Sequence, residues 1–511
     1  MSAVRAFLPL ANGRSAPLAD VPRLHPESFH DAVLSAPGAR LVSLFGFPDD
    51  DGAIRLVAVL ARAGGLDDRS LLVTSTLVHD AYPALTPRFT QAHLFEREIA
   101  EEWGVVPEGH PWLKPVRFIA PRRAAPAPVG PVAGASPPVP GVMPYFEVEG
   151  EEVHEVAVGP VHAGVIEPGH FRFQCHGERV LHLEISLGYQ HRGIERALEG
   201  GPDRRAPHLV DAIAGDTSVG HTTAYSRVVE ALAGVVAPDR AETLRAIALE
   251  LERMANHAGD LGALSGDIGY LPAASYCGRI RGDLLNLTLL ACGSRMGIGW
   301  VRPGGVATDL DAATARTLEQ GVARAVSDLG RSFTLILKNS TARSRLEETG
   351  VLDRETGESL GMVGPAARAS GLVRDARQDH PLGAYASDPI PIAVRETGDV
   401  FARAAVRSLE CAHSADYARA RLRSLPEGPA RAAVPDALAP GRIAVALVEG
   451  WRGEICHAAV TDEAGRFRRY KVVDPSFHNW PGLAMAMRDQ PISDFPLCNK
   501  SFNLSYSGHD L

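Results

Sequence analysis

His162 and His170 are the first residues of this chain that suggest chemistry. They stand eight positions apart in Gly159-Pro-Val-His-Ala-Gly164 and Glu167-Pro-Gly-His-Phe-Arg172, within a segment, 154–172, that reads as a strand pair. Histidine titrates near neutrality, so one with an acidic partner can deliver a proton to a reduced group. A hairpin histidine can equally be a hydrogen-bonding turn residue. Further candidates are Glu167, His221, Asp267 and Arg377. Their plainer readings are a core histidine at 221, a helix-capping or paired carboxylate at 267, and an ion-pair partner for Asp375 or Asp379 at 377. The sulfur groups are scattered: Cys175, Cys277, Cys292, Cys411, Cys456 and Cys498 include no C-x-x-C. That pattern reads as reduced thiols of a cytosolic protein, without a disulfide framework or structural zinc site. Gly297-Ile-Gly299 lacks the third glycine and preceding strand of a dinucleotide loop, and no P-loop, G-x-S-x-G or H-E-x-x-H occurs.

The elements that must position these groups fall into three stretches. Residues 1–120 read as a small α/β unit, with strands at Arg40–Phe45, Ile54–Leu60 and Leu71–Ser75 and a turn at Asp49-Asp50-Asp51-Gly52. Residues 121–147 are a Pro/Ala-rich linker with little to bury, expected to be extended. Residues 148–511 form the large unit. Within it Leu244, Ile247, Leu251, Met254, Ala258 and Leu261 recur at helical spacing, after a Pro238-Asp239…Glu242 start that fits a cap. Another apolar helix spans Asp283–Cys292, and three antiparallel strands are expected at Arg442–Val448, Ile455–Val460 and Phe467–Val473. The fold class is therefore α+β, with a helical bundle flanked by small antiparallel sheets. At 511 residues, 45% hydrophobic and 22% charged, the chain suits two or three globular domains. A net charge of −9 argues against a nucleic-acid partner. The amino terminus is a poor secretory signal, and no apolar run approaches the ~18 residues of a membrane span.

Longer motifs carry a resemblance. Gly159–Arg172, Gly188-Tyr-Gln-His-Arg-Gly-Ile-Glu195, Glu250-Leu-Glu-Arg-Met-Ala-Asn-His257, Arg302-Pro-Gly-Gly-Val306, Val448-Glu-Gly-Trp-Arg-Gly-Glu454, Asp474-Pro-Ser-Phe-His-Asn-Trp480 and Asp494-Phe-Pro-Leu…Asn499-Lys-Ser-Phe502 follow one another in the chain. In that order they resemble the large subunit shared by group 4 membrane-bound nickel–iron hydrogenases and respiratory complex I. Upstream, Glu96-Arg-Glu98…Trp103-Gly104 and Gly109-His-Pro111 resemble the complex I 30-kDa subunit, fused ahead of the large one as in formate-hydrogenlyase-type proteins.

The resemblance implies the fold of the complex I 49-kDa subunit and an oxidoreductase complex. It also implies two kinds of partner: an iron–sulfur small subunit, and membrane subunits of the quinone-chamber and antiporter-like type. The chain would then be cytoplasmic and peripheral on the inner face of the cytoplasmic membrane. In the hydrogenases two C-x-x-C pairs hold the nickel–iron centre. The matching positions here are Ala214 and Thr217, then Ser505 and Gly508, and none supplies a soft donor. The expected cofactor set is therefore empty, with no nickel–iron centre and no iron–sulfur cluster on this chain. The chain also ends at Leu511 without the terminal histidine or cleaved extension of the hydrogenases. In complex I the equivalent cavity takes a quinone head group, held by a hairpin histidine and a tyrosine, with an aspartate behind the histidine. By resemblance His162 or His170 is that histidine and Asp267 the aspartate, while the tyrosine position falls near Gly215. His221 matches the histidine beside the cofactor, Glu167 lies one position from the proton-transfer glutamate, and Arg377 resembles the active-site arginine. Electron transfer to quinone, a silent scaffold and an active hydrogenase remain the three alternatives.

Overall fold

In the computed structural model, which describes residues 6–49, 51–62, 69–123, 139–164 and 166–511, the amino-terminal unit is built on one sheet. Its strands are β1 (Leu8–Leu10), β3 (Arg23–Leu24), β4 (Ala39–Pro48), β5 (Ile54–Arg62) and β6 (Leu71–Val78). The order is β1-β6-β5-β4 with β3 parallel to β6. The turn after β4 closes with Asp49 N donating to Ala53 O at 2.7 Å; Asp50 lies outside the described residues. Helices α1 (Pro26–Ser35) and α2 (His93–Trp103) cover the sheet, and α2 stops at Gly104, whose left-handed φ of 65° suits glycine. Strand β2 (Arg14–Pro17) leaves this unit altogether: it pairs antiparallel with residues 442–445, more than 400 positions away. Most of the Pro/Ala-rich segment, 124–138, lies outside the described residues.

Where a strand pair was expected, three strands form: β7 (Val153–Val158), β8 (His170–His176) and β9 (Arg179–Ser186), in the order β9-β8-β7. Helix α3 (Ser218–Ala233) follows. The bundle then consists of α4 (Asp239–Asp267), α5 (Leu271–Cys292), α6 (Ala312–Lys338) and α7 (Val400–Arg423). Helix α4 packs between α5 and α7, with α6 closing the far side. The six apolar residues read from the periodicity of α4 are all buried at 1% exposure or less. Gly262 permits the α4–α5 approach, since a Cβ there would lie 2.9 Å from Cys277 Cβ. The expected cap is corrected: Pro238 is the N-cap and has no polar side chain to cap with, and Glu242 forms an ion pair with Arg227 of α3.

The carboxy-terminal strands form where expected, as β10 (Arg442–Glu449), β11 (Glu454–Thr461) and β12 (Phe467–Val473), in a sheet ordered β12-β11-β10-β2. Its two faces differ as the alternation dictates. Ile443, Val445 and Leu447 join a core shared with the amino-terminal sheet, whereas Ala444 and Ala446 admit α3 on the other side. Helices α8 (Pro475–Ala486), α9 (Phe495–Phe502) and α10 (Tyr506–Asp510) return the chain to the bundle.

Candidate functional site

Two turns meet in the middle of the large unit. One, 212–217, precedes α3; the other, 503–508, joins α9 to α10 and includes the first residues of α10. Arg452, in the turn between β10 and β11, ties them together. Its Nε donates to Asn503 O at 2.6 Å, and its Nη1 donates to Gly215 O and Thr217 Oγ1, each at 2.9 Å. The guanidinium lies 3.9 Å above the Trp451 ring, and Trp451 Nε1 donates to Asp216 O and Thr217 Oγ1. Beside these turns opens a cavity of about 610 Å³ lined by Glu167, His191, Arg192, Ala214, Asp216 and Ser507, among others. Burial holds the Arg192 guanidinium and the His191 imidazole below their ordinary pKa values.

The four positions matched to metal ligands sit on these two turns, and their chemistry does not fit a nickel–iron centre. Thr217 Oγ1 is occupied by Arg452 and Trp451, and Ser505 Oγ caps α10 by accepting from Gly508 N at 2.9 Å. Ala214 has no donor. At Gly508 even a Cβ would meet the Asp474 carboxylate at 2.7–3.0 Å, so a thiol has no room. A second acidic group, Glu252 of α4, accepts from Val219 N and Gly220 N at 2.7 and 3.1 Å at the start of α3. Burial raises its pKa to about 8 against the opposing pull of those two amides.

The six residues singled out in the sequence lie in different surroundings, and of them only Glu167 lines the cavity. Glu167 lines the cavity, and its Oε2 accepts from Tyr506 N at 3.1 Å. Neither His162, on the loop from β7 to β8, nor His170, the first residue of β8, lines it. His162 Nε2 donates to Gly169 O at 2.8 Å. Arg172 Nε donates to His170 Nε2 at 3.3 Å, which leaves Nδ1 as the protonated nitrogen facing Gly159 O. Burial, with Arg172 nearby, lowers the His170 pKa. His221 is fully buried: Nε2 lies 3.0 Å from Asp474 Oδ2, Nδ1 lies 3.0 Å from His457 Nε2, and His457 Nδ1 is 2.8 Å from Tyr470 OH. Both of its nitrogens are therefore engaged. Asp267, at the end of α4, pairs with Lys500 at 3.0 Å, and among the described residues no hydrogen bond or ion pair joins it to either loop histidine. Arg377 belongs to a buried ionic cluster with Asp375 and Glu250, away from the cavity lining.

The residue that bridges the two turns is thus Arg452, which stood in the recognised Val448–Glu454 motif without being singled out. The motif placed it in the turn between two strands but did not give the direction of its side chain. Asp474, His457 and Tyr470 were missed for a different reason: their partners lie hundreds of positions away. Glu98, Glu102 and Glu195 bring carboxylate oxygens within 4.8 Å of one another, but cations already fill that cluster. Lys471 reaches Glu98 at 2.6 Å and Glu195 at 3.0 Å, and Arg469 reaches Glu102 and Glu195 at 2.9 Å each.

Comparison with known proteins agrees with this architecture. Residues 267–445 match the family model of the respiratory-chain NADH dehydrogenase 49 Kd subunit. Formate hydrogenlyase subunit 5 of Escherichia coli is 30% identical over 448 residues, covering 84% of this chain and 77% of that protein. An NADH-quinone oxidoreductase subunit of Desulfitobacterium hafniense is 31% identical over 334 residues, covering 65% of this chain and 90% of the relative. A chain of the archaeal membrane-bound sulfane sulfur reductase superposes with a TM-score of 0.66 at 24% identity, over 72% of this chain and 100% of that one, and so shares the fold. With the two-turn site, the central bundle and these relatives together, the chain belongs to the family that unites hydrogenase large subunits with the 49-kDa subunit of complex I.

Proposed function

We propose that this chain is the large subunit of a membrane-associated oxidoreductase complex of the hydrogenase and complex I type. It works without a nickel–iron centre and passes electrons from a partner iron–sulfur subunit to a quinone or another acceptor, with ion movement coupled in partner membrane subunits. One observation carries this reading: a cavity of about 610 Å³ opens beside two turns that offer no thiolate and are bridged by the Arg452 guanidinium. Such a cavity suits an acceptor with oxygen atoms, for which Arg192 and His191 supply donors and Glu167 a proton carrier. No helix among the described residues is long and apolar enough to cross a membrane, so attachment would run through partners on the cytoplasmic face.

The test is turnover of the purified complex with a short-chain quinone, alongside its nickel content. Glu167→Gln and Arg192→Gln are each expected to lower quinone reduction at least about 100-fold, the low end for a positioned proton carrier or a charged hydrogen-bond donor, while subunit stoichiometry stays unchanged. Normal turnover in both variants would refute acceptor reduction at this site, and stoichiometric nickel would restore the hydrogenase reading. A silent scaffold is the second reading. It is favoured by the engagement of both His170 nitrogens and of the Thr217 and Ser505 hydroxyls in local hydrogen bonds.

A further inference from the structure

A second cavity opens where the two units meet, and the proposed acceptor chemistry makes no use of it. Its volume is about 470 Å³, within the range of small-molecule sites. Helix α2 and the loop 110–116 of the amino-terminal unit form one wall, and β9 and α8 of the large unit form the other. The lining is mostly hydrocarbon and aromatic ring, with Trp112, Met143, Phe146, Leu183, Trp480 and Met485 among it. Its two methionines give the walls an adaptable surface. No lining residue is shared with the acceptor cavity, although α10 borders both, at His509 here and at Ser507 there.

One charged group stands apart in these surroundings. Arg97, on α2, is partly buried in the lining. Its Nε donates to Lys114 O at 2.8 Å and its Nη2 to Pro115 O at 2.7 Å. A guanidinium carries five N–H groups, so three, on Nη1 and Nη2, have no partner among the described residues. No carboxylate among those residues lies within 4.0 Å of it. A desolvated cation without a counter-ion is costly. His509, 4% exposed, adds a second open position: its Nδ1 is turned to Asp510 Oδ1 at 3.0 Å, which leaves Nε2 without a partner among the described residues.

The acids nearby are already taken by other donors. Glu184, the one carboxylate in the lining, pairs with Lys114 at 2.7 Å and accepts from Phe146 N at 2.8 Å. Glu101 accepts from the amides of Val116, Arg117 and Ile119, and Glu96 from Leu85 N and from the amide and hydroxyl of Thr86. Asp510 accepts from Gly188 N and Gln190 N besides facing His509. A second guanidinium in the lining, Arg488, is exposed and marks the rim, and it too makes no ion pair among the described residues. The cavity therefore combines apolar walls with a positive charge that nothing beside it neutralises.

We propose that this cavity binds a long-chain fatty acid, with its carboxylate on the free N–H groups of Arg97 and its hydrocarbon chain against the apolar walls. A carboxylate matches the guanidinium fork and accepts two parallel N–H bonds from it. The chain contributes by burying its methylenes. An inorganic anion would leave the walls bare, and an uncharged hydrocarbon would leave Arg97 without a counter-ion. Because Arg97 is partly buried, unlike Arg488 at the rim, the head group has to enter the cavity. A free acid can do so, whereas a phospholipid in a bilayer keeps its head group at the bilayer surface. The inference is independent of the acceptor chemistry proposed above.

The test is a titration of the full-length chain, purified without detergent, with cis-parinaric acid, a fluorescent fatty acid. Saturable binding of one molecule per chain is expected, with displacement by oleate. Oleyl alcohol, which has the same chain without the charge, should displace it at least about 10-fold more weakly, the low end for hydrogen bonds to a charged group. Arg97→Gln should weaken oleate by a similar factor and leave the alcohol unchanged, and Arg97→Lys should recover part of the loss. Because Arg97 also holds the backbone of the 110–116 loop, Ala484→Trp serves as a second variant. It fills the cavity from α8 with Arg97 in place, and should abolish binding of acid and alcohol alike. No saturable binding, equal affinity for acid and alcohol, or oleate binding unchanged in either Arg97→Gln or Ala484→Trp would overturn the proposal. So would displacement by phosphatidylglycerol vesicles but not by oleate, which would point to a membrane lipid instead.

Discussion

At the scale of single residues, the two turns of the site are held together by one side chain. A guanidinium donates to three oxygens on both turns and holds them by hydrogen bonds. Introducing a thiol there is then not a neutral change. Gly508→Cys forces a side chain against the Asp474 carboxylate, whose Oδ2 already faces His221. We expect a loss of about 1–3 kcal/mol of stability, as for other overpacked cores, read as a lower urea midpoint, with no gain of nickel even when Ala214, Thr217 and Ser505 are also changed to Cys. Unchanged stability would show that the turn has room. The sequence allowed the four positions to be named, because they sit inside recognisable motifs. It did not reveal that Arg452 rather than Arg377 bridges the turns, since side-chain direction is not written in a motif. Arg377 carries an aspartate two positions away, and that local pair is what forms. His221, by contrast, finds its partners 236 and 253 positions further on, out of reach of any local reading.

Among the elements, legibility follows periodicity. Helix α4 and strands β10–β12 were visible because burial repeats every three to four residues in one and every two in the others. The start of α4 was misread because its N-cap is Pro238, which has neither a capping side chain nor a backbone N–H for a carboxylate to accept from, and Glu242 pairs with Arg227 of α3. Strand β9 follows β8 through a tight turn at Gly177, a signal that the strand-pair reading overlooked. Helix α4 supports both the site and the buried ionic cluster, since Glu252 accepts from the first amides of α3 while Glu250, Arg253 and His257 form ion pairs within the cluster. Leu251 sits within that stretch at 0% exposure. Leu251→Ala should cost about 2–5 kcal/mol, measured by chemical denaturation. A cost below about 1 kcal/mol would mean that the bundle collapses around the cavity more easily than its packing suggests.

Across the whole molecule, the two units share a core and a charge network. Ile443, Val445 and Leu447 pack with the amino-terminal sheet, and Lys471 and Arg469 of β12 are buried against Glu98 and Glu102 of α2. The linker composition suggested a boundary at 121–147, and packing nevertheless continues across it; nothing in the four residues of β2 announced a strand. The same region stores a pH dependence. His93, half-buried, and His478, deeply buried, have pKa values lowered to about 3, in each case first by burial and then by a nearby arginine. Their folded values lie below the ordinary 6.5, so below that pH the unfolded chain binds more protons. Stability contributed by their neutrality is complete above about pH 6.5 and declines as pH falls toward 3, at about 1.4 kcal/mol per pH unit for each histidine. Urea midpoints at pH 7, 6 and 5 should fall accordingly, and His478→Asn should remove one histidine's share of the slope; a slope unchanged in that variant would exclude the assignment. The pairing of β2 with β10 has a temporal consequence as well. Residues 14–17 must wait for residues 442–445 before the edge of that sheet can close. During synthesis the first segment to leave the ribosome therefore carries unpaired backbone amides and carbonyls until almost the last has emerged. A chain that stops short of residue 442 would lose not only its carboxy-terminal sheet but also the anchor for its own beginning.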